Sequence, residues 1–304
     1  MKTIDFCCGA GGATAGVRAA GASVVAAFDI DPHALATHRA NHPRAGATWG
    51  NLLRADWRDL PGHEAAVWCP PCEEVSHASG RTAYDAAIPL MERLLDYAAE
   101  CRPRYLLFEN VPAVTGWRGH HDWRCRLEAL GYWVADGLVQ AADFVPEERT
   151  RYLLLAARGT RAPRLPAARL KRPVPARRIL DTDTERGQWR FVSDATPSQR
   201  ARIARGRERF GTEFLLAAYG ARGGMAGDHC GRSLDRPMAT VTTSRQWLLV
   251  AGAYMRNVTP EECAAAQGFS ARYRFEGAVN DQQRQIGRAI PVGLARAAFE
   301  ALVS

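Results

Sequence analysis

Short apolar runs, each followed by a polar or glycine-rich turn, recur through the first half of the chain. Runs of this length predict buried strands, and we place strands at 3–7, 24–29, 65–68, 105–109 and 151–157. Helical spacing of apolar residues separates them at 13–20, from Pro32 onward and at 88–101. Strands that alternate with helices are typical of a doubly wound sheet covered on both faces. The predicted fold class is therefore α/β and Rossmann-like.

The pattern changes after Arg158. Residues 160–178 are rich in proline, alanine and arginine, which is typical of a linker or an exposed arm. Residues from about 180 to 250 mix polar, arginine-rich and glycine-rich stretches, so we expect a small, loop-rich domain there. Helical patterns return at 260–267 and 289–302.

Composition and charge narrow the class of protein. Hydrophobic residues make up 47% and charged residues 24% of the chain, as in ordinary globular proteins. Neither a membrane-length apolar run nor a signal peptide is visible, so we expect a cytoplasmic protein without membrane contact. The net charge is +8 and lysine occurs only at Lys2 and Lys171, so arginine carries the charge. Arginine suits phosphate and guanine, but a GC-rich genome produces the same composition. Charge alone makes a nucleic-acid partner plausible and no more.

The cysteines do not predict a disulfide framework or a metal site. The chain has eight cysteines and no export signal, which argues against disulfides. Cys69 and Cys72 have the spacing of a zinc or redox pair, but a second pair is missing. We therefore expect no bound metal.

A glycine-rich turn follows the first predicted strand, at 5–12, and opens a helix. Glycines let the backbone pass close to a ligand, and a helix N-terminus offers free N–H groups. The second strand ends in Asp29-Ile30-Asp31, where a carboxylate can hold both hydroxyls of a ribose. Together these features indicate a nucleoside cofactor. A carboxylate that caps the following helix is the alternative, and it fits Asp31 better than Asp29.

Chemically reactive residues follow two later strands. Pro71-Cys72 lies in a loop after one strand, and Glu109-Asn110-Val111 ends another, so a thiolate could stand beside an acid. Arg149 and Arg151 enter the next strand at alternate positions and should point to the same side. Each piece alone has an ordinary structural explanation; their order along the chain is what points to chemistry.

This order resembles that of the DNA cytosine-C5 methyltransferases over nearly the whole chain. The matching motifs are the glycine-rich turn, the Pro-Cys loop, the Glu-Asn-Val strand end, the arginine pair and the two C-terminal segments 259–269 and 285–294. The resemblance implies an S-adenosylmethionine-dependent methyltransferase fold and double-stranded DNA as substrate, with a monomer expected. It also implies a catalytic cofactor-binding domain of residues 1–175 plus 256–304 and a target-recognition domain of residues 176–255.

The resemblance also assigns roles to residues. Cys72 would add to carbon 6 of a flipped cytosine, Glu109 would hold N3 and the amine, Arg151 would contact O2, and Arg149 would support the loop. Residues 76–81 would form a lid. The cofactor is expected to be S-adenosyl-L-methionine, and its predicted contacts are Phe6, Cys7, Gly9, Ala10, Gly11, Gly12, Asp29, Ile30, Asn51, Leu52, Pro71, Arg288 and Ala289, with Pro291 close by.

Four positions depart from the family pattern. Glu73 and Glu147 stand where glutamine is usual, Asn51 stands where aspartate is usual, and Arg288 stands where asparagine is usual. A guanidinium near a sulfonium is unfavourable, but it would favour a donor that carries an additional carboxylate. The alternative donor is therefore carboxy-S-adenosyl-L-methionine, with 5-carboxymethylcytosine as the product. If the donor is ordinary S-adenosyl-L-methionine, we expect that Arg288 points out of the pocket or pairs with Glu73 or another acid.

Other functions remain open. A tRNA cytosine methyltransferase and an inactive DNA-binding homologue share this fold, although the presence of Cys72 and Glu109 speaks against the inactive homologue. A zinc or redox protein built on Cys69 and Cys72 is the weakest rival. The target sequence cannot be read, because Arg222, Arg232 and Arg245 could contact either bases or phosphates.

Overall fold

The computed structural model describes residues 1–71, 87–159, 161–217 and 231–304. In chain order the strands are β1 (Lys2–Phe6), β2 (Ser23–Asp29), β3 (Ala47–Trp49), β4 (Ala65–Trp68), β5 (Tyr105–Asn110), β6 (Trp133–Gln140), β7 (Glu147–Glu148), β8 (Thr150–Ala157), β9 (Arg190–Phe191), β10 (Glu213–Ala217), β11 (Arg232–Ser233), β12 (Met238–Ala239), β13 (Trp247–Ala251) and β14 (Tyr254–Asn257). The helices are α1 (Gly12–Ala19), α2 (Pro32–Asn41), α3 (Ala87–Cys101), α4 (His120–Ala129), α5 (Pro197–Phe210), α6 (Pro260–Ala266), α7 (Val279–Arg288) and α8 (Val292–Val303).

Seven strands form the main sheet in the order β3-β2-β1-β4-β5-β8-β6. The first five run parallel, and β8 runs antiparallel to both β5 and β6. The chain builds outward from β1 to β3 and then returns to β4 on the other side of β1. In such sheets ligands bind outside the carboxyl ends of the strands, at the point where the order reverses. The predicted α/β, Rossmann-like fold is confirmed.

Helices cover both faces of the main sheet, as alternating strand residues show. Leu106 and Phe108 of β5 pack into one apolar cluster with α3 and α4, whereas Leu107 packs into another with α1 and α8. The N-terminal helix and the C-terminal helix approach closely, since a Cβ atom added at Gly16 would lie 2.5 Å from the Ala295 Cβ. Both ends of the chain therefore belong to one core.

The strand β1 ends at Phe6, one residue earlier than the sequence predicts. Cys7 has a φ of 56°, which lies in the left-handed region and breaks the extended conformation. The chain turns at this point into the glycine-rich segment.

A second sheet is antiparallel and has the order β11-β10-β13-β14-β9. The helix α5 packs beside it and begins with a capping box between Thr196 and Gln199. Two short parallel strands, β7 and β12, join the region before β8 to the segment before β13. The helices that the structure describes include none that could cross a membrane.

Candidate active site

The glycine-rich turn after β1 is held by a carboxylate at the end of β2. The Asp29 side chain accepts hydrogen bonds from the Gly9 N–H at 2.8 Å and from the Asp31 N–H at 2.9 Å. Gly9 has a φ of 50°, and a Cβ added at Gly12 would lie 2.5 Å from the Ile290 carbonyl oxygen. Burial raises the pKa of Asp29, while its backbone N–H donors oppose that rise.

A cavity of about 220 Å³ lies at the carboxyl ends of β1, β2 and β4. We call it the donor cavity. It brings together most of the predicted cofactor residues and two of the predicted catalytic residues: Cys7, Gly9, Ala10, Gly12, Asp29, Ile30, Pro71, Glu109, Arg151, Arg288 and Ala289.

Three predicted cofactor residues lie elsewhere. Phe6, Asn51 and Leu52 line a neighbouring cavity of about 410 Å³, together with Phe28 and Trp49. The predicted residues divide between two cavities because successive strand residues point to opposite faces of a sheet. On β2, for example, Phe28 lines the neighbouring cavity and the next residue, Asp29, lines the donor cavity. Gly11 lines neither cavity and packs against Tyr273, whose hydroxyl would lie 2.6 Å from an added Cβ.

A buried ion pair joins two of the predicted catalytic residues. The Arg151 Nε lies 2.9 Å from the Glu109 Oε1, and both side chains are less than a tenth exposed. Burial raises the pKa of Glu109, and the positive charges of Arg151 and Arg149 partly offset that rise. The cavity thus contains a carboxyl group that could exchange a proton with a nucleobase bound beside it.

The loop that leads to Cys72 is fixed from β5. The Asn110 Nδ2 donates to the Pro70 carbonyl at 3.2 Å, and its Oδ1 accepts from the Val111 N–H at 2.8 Å. Pro70 and Pro71 both line the donor cavity. The predicted nucleophile Cys72, the departure at Glu73 and the predicted lid at 76–81 lie outside the described residues.

Arg149 is buried but does not line the donor cavity. Its guanidinium donates to the Val241 and Gly287 carbonyls, both at 2.6 Å. Glu147 accepts from the Val241 N–H at 2.7 Å and pairs with Arg149 at 3.4 Å. The buried pair therefore ties the junction between β7 and β8 to the segment before β13 and to α7.

Arg288 lines the donor cavity and also pairs with an acid. Its Nη1 lies 3.3 Å from the Asp31 Oδ2 in a partly exposed contact. Asp31 caps α2 by accepting from the His33 and Ala34 N–H groups, as its alternative interpretation predicts. Pro291, expected near the pocket, is not among its lining residues, whereas Ile290 is.

Sequence reasoning missed several cavity residues, namely Cys8, Ala13, Asp31, Ala34, Cys69, Pro70, Gln285 and Ile290. Most adjoin predicted residues, and Gln285 lies about one helical turn before Arg288, a spacing that could have indicated it.

Burial raises the pKa of Cys7 and of Cys8 well above the ordinary value, so both remain thiols.

The described residues contain no cluster of three or more side chains suited to a metal. Of the arginines considered for DNA contact, Arg232 pairs with Glu148. Arg222 lies outside the described residues.

Comparison with known proteins places this geometry in a family. The model of the C-5 cytosine-specific DNA methylases matches residues 1–304. The chain is 26% identical to the type II methyltransferase M.Eco47II of Escherichia coli over 329 residues, which cover 99% of this chain and 78% of that protein. It is 34% identical to M.AgeI of Thalassovita gelatinovora over 169 residues, covering 52% of this chain and 39% of that protein.

Solved structures agree at the level of the fold. The Dnmt2 methyltransferase of S. pombe has a TM-score of 0.71 at 17% identity, with 100% of this chain and 98% of that chain covered. The Entamoeba histolytica methyltransferase EhMeth has a TM-score of 0.70 at 16% identity, with 99% and 97% covered. The chain belongs to the C-5 cytosine-specific DNA methylase family.

Proposed function

We propose that this protein transfers a methyl group from S-adenosyl-L-methionine to carbon 5 of cytosine in double-stranded DNA, with Cys72 as the nucleophile. The observation that carries the proposal is the meeting, in one cavity, of the glycine-rich turn with the Glu109–Arg151 pair. The loop residue that precedes Cys72 lines the same cavity.

The residues of the donor cavity fit a nucleoside donor. The close approach of Gly12 to Ile290 leaves backbone rather than side chains at this point, and the Gly9 position is open, with no atom within 4 Å of an added Cβ. Asp29 would bind the ribose, while Cys7, Gly9, Ala10, Gly12 and Ala289 would surround the remainder. Asn51, Leu52 and Phe6 would hold the base end from the neighbouring cavity. When bound, S-adenosyl-L-methionine supplies an electrophilic methyl carbon on a sulfonium.

Carbon 5 of cytosine is too weak a nucleophile to react unaided. Addition of the Cys72 thiolate to carbon 6 forms a carbon–sulfur bond and moves an electron pair toward carbon 5. Glu109 would neutralise the charge that develops at N3, which its raised pKa favours, and Arg151 would hold both Glu109 and O2 of the base. Carbon 5 would then bond to the methyl carbon as the bond from that carbon to the donor sulfur breaks. Loss of the carbon 5 proton to a base then breaks the bond between carbon 6 and the Cys72 sulfur and releases the thiolate.

Glu109 is buried, so a cytosine stacked in the duplex could not reach it. We therefore expect the target base to be flipped out of the duplex. Residues 176–255, which contain most of the second sheet, would recognise the DNA, and residues 1–175 plus 256–304 would perform the chemistry. The protein would act as a cytoplasmic monomer.

Nucleoside mass spectrometry tests the proposal. DNA incubated with wild-type protein and S-adenosyl-L-methionine should yield 5-methylcytosine, and Cys72→Ser should abolish it. Cys69→Ser is the matched control and should retain activity, because only Cys72 attacks the base. A zinc or redox pair would instead need both sulfurs, and both variants would then be inactive. Glu109→Gln should lower kcat strongly, since the amide could no longer transfer a proton to N3. Absence of any modified cytosine in DNA, with modification of tRNA instead, would contradict the proposal.

A second candidate donor is carboxy-S-adenosyl-L-methionine, and the position of Arg288 in the donor cavity favours it. Arg288 pairs with Asp31 at 3.3 Å in a partly exposed contact, so a donor carboxylate could compete for the guanidinium. The product would then be 5-carboxymethylcytosine, formed by the same residues.

Competition between the two donors decides this point. If the carboxylated donor is used, the wild type gains a carboxymethyl mass, and Arg288→Asn shifts the preference toward methyl. Arg296→Asn is the control, because Arg296 also pairs with an acid, Glu300 at 2.8 Å, outside the donor cavity. An unchanged preference in Arg288→Asn would remove the carboxylated donor from consideration.

A further inference from the structure

The helix α7 contributes to two cavities. Gln285 and Arg288 line the donor cavity, whereas Gln283 and Arg284 line a different cavity of about 540 Å³. Residues of the second sheet and of the segment before β13, together with Gln199 of α5 and Asn280 of α7, form the rest of its wall. We call it the arginine cavity, after Arg190, Arg245 and Arg284.

The arginine cavity has an excess of positive charge. Its described lining residues include these three arginines and no aspartate or glutamate. Arg284 is partly neutralised by Asp281 at 2.7 Å, so Arg190 and Arg245 supply the excess. Such a surface attracts an anion.

One nitrogen donor in the wall of this cavity lacks an acceptor among the described residues, and hydroxyl groups lie beside it. The Arg245 Nε is buried and has no hydrogen-bond partner among the residues that the structure describes. A buried donor without an acceptor is unfavourable, so the Arg245 guanidinium is not fully satisfied within the described protein. The hydroxyl-bearing residues Thr243 and Ser244 are exposed beside it and line the same cavity.

The arginine cavity lies next to the end of α7 that lines the donor cavity. A Cβ added at Gly287 would lie 2.4 Å from the Thr242 carbonyl carbon and 2.4 Å from the Thr243 nitrogen. The segment that carries Arg245 thus packs against the last turn of α7, immediately before Arg288. When a base flips, its sugar–phosphate backbone stays outside the pocket and next to it.

We propose that the arginine cavity binds backbone phosphates of the DNA strand that carries the target cytosine, with Arg190 and Arg245 as positioning residues. This inference rests on the proposed function. Two guanidinium groups at this place would fix the flipped nucleotide relative to Glu109 without reading the sequence.

The test is the salt dependence of DNA binding. Binding of a short mixed-sequence duplex, with S-adenosylhomocysteine present, is measured over a range of salt concentrations for the wild type and for Arg190→Gln/Arg245→Gln. Each lost phosphate contact should reduce the slope of log affinity against log salt by about 0.9, so the double variant should lose roughly 2. Affinity should fall equally for duplexes of different sequence.

Arg44→Gln/Arg104→Gln is the matched control, because both arginines are exposed and precede the amino ends of β3 and β5. The control should keep the wild-type slope, and both double variants should keep wild-type affinity for S-adenosylhomocysteine. An unchanged slope in the test variant, an equal loss in the control or a loss confined to particular sequences would overturn the proposal. A test variant that loses tRNA binding but binds the duplex like the wild type would also overturn the proposal. If the wild type binds the duplex with the expected slope but transfers no group, the proposed function fails while the phosphate site stands.

Discussion

The Tyr273 hydroxyl donates a 2.5 Å hydrogen bond to the carbonyl of Ala10, in the glycine-rich turn. The same hydroxyl lies 2.9 Å from the His42 Nε2, and the His42 Nδ1 lies 3.2 Å from the Arg18 guanidinium. Arginine can only donate, so Nδ1 accepts and Nε2–H donates to Tyr273. Burial, together with Arg18, lowers the pKa of His42 to about 4, which keeps the ring neutral as this chain of hydrogen bonds requires.

Removal of this hydroxyl should weaken donor binding more than turnover. Tyr273→Phe loses one hydrogen bond to the turn, worth about 0.5–1.5 kcal/mol, which corresponds to a roughly 2- to 12-fold higher Kd for S-adenosylhomocysteine. The rate at saturating donor should change little, since Tyr273 does not line the donor cavity. Calorimetric titration and kcat measurements separate the two effects.

Tyr132→Phe is the matched control for this change. The Tyr132 hydroxyl also donates to a backbone carbonyl, that of Pro103 at 2.7 Å, but away from the cavity. An equal rise of the donor Kd in both variants would mean that Tyr273 acts through general stability and not through the turn.

Replacement of Asn110 should reduce turnover. Asn110→Asp keeps an acceptor for the Val111 N–H but can no longer donate to Pro70, and it adds a negative charge beside Glu109. Loss of the hydrogen bond should cost about 1–2 kcal/mol in positioning the loop, or roughly a tenfold drop in kcat/KM for DNA. Wild-type kcat/KM in a variant that folds normally would show that the Pro70 contact does not position the loop.

Asp5 should make the protein less stable as the pH rises. Burial raises the pKa of Asp5 from 3.8 to about 7, opposed by the 2.7 Å hydrogen bond from the Thr14 hydroxyl. The native state therefore binds more protons than the unfolded state, so the contribution of Asp5 to stability is present below about pH 4 and is lost as the pH rises through about 7. In Asp5→Asn the decline of the unfolding free energy over this range should be smaller. Denaturant unfolding across the pH range checks it, and parallel curves for wild type and variant would refute the assignment.

Close packing of α1 on α8 should make Gly16 irreplaceable. The Cβ of an alanine there would lie 2.5 Å from the Ala295 Cβ and 2.7 Å from the Arg296 nitrogen. Overpacking of this kind costs about 1–3 kcal/mol in unfolding free energy. Gly62→Ala is the control, since no atom lies within 4 Å of an added Cβ there. Equal urea midpoints for the two variants would contradict the packing.

The sequence predicts the main sheet better than the second sheet. Strands β1, β4 and β5 are almost wholly buried, and such strands are visible as short apolar runs, such as Ala65–Trp68. The second sheet consists of short strands such as Arg190–Phe191, whose two residues are both exposed. A strand of this length has no pattern of its own, and it forms because β14 is there to pair with it.

Prediction of the candidate site from the sequence is limited in the same way. Motifs predict that Asp29, Glu109 and Arg288 approach one cavity, since each follows or ends an element at a recognisable position. They do not predict that Arg288 pairs with Asp31, 257 positions away, or that Tyr273 contacts Ala10, 263 positions away. Such contacts depend on how the C-terminal helices return to α1, which local pattern does not encode.

Covalent trapping on 5-fluorocytosine tests the central claim most directly. Fluorine cannot leave carbon 5 as a proton does, so the thiolate that adds to carbon 6 should stay attached after group transfer. Wild-type protein and Cys69→Ser should each form an adduct with a fluorinated duplex in the presence of the donor, with the attachment mapped to Cys72 by peptide mass spectrometry. Cys72→Ser should form none. Attachment at Cys69, or product formation from normal DNA by Cys72→Ser, would contradict the account.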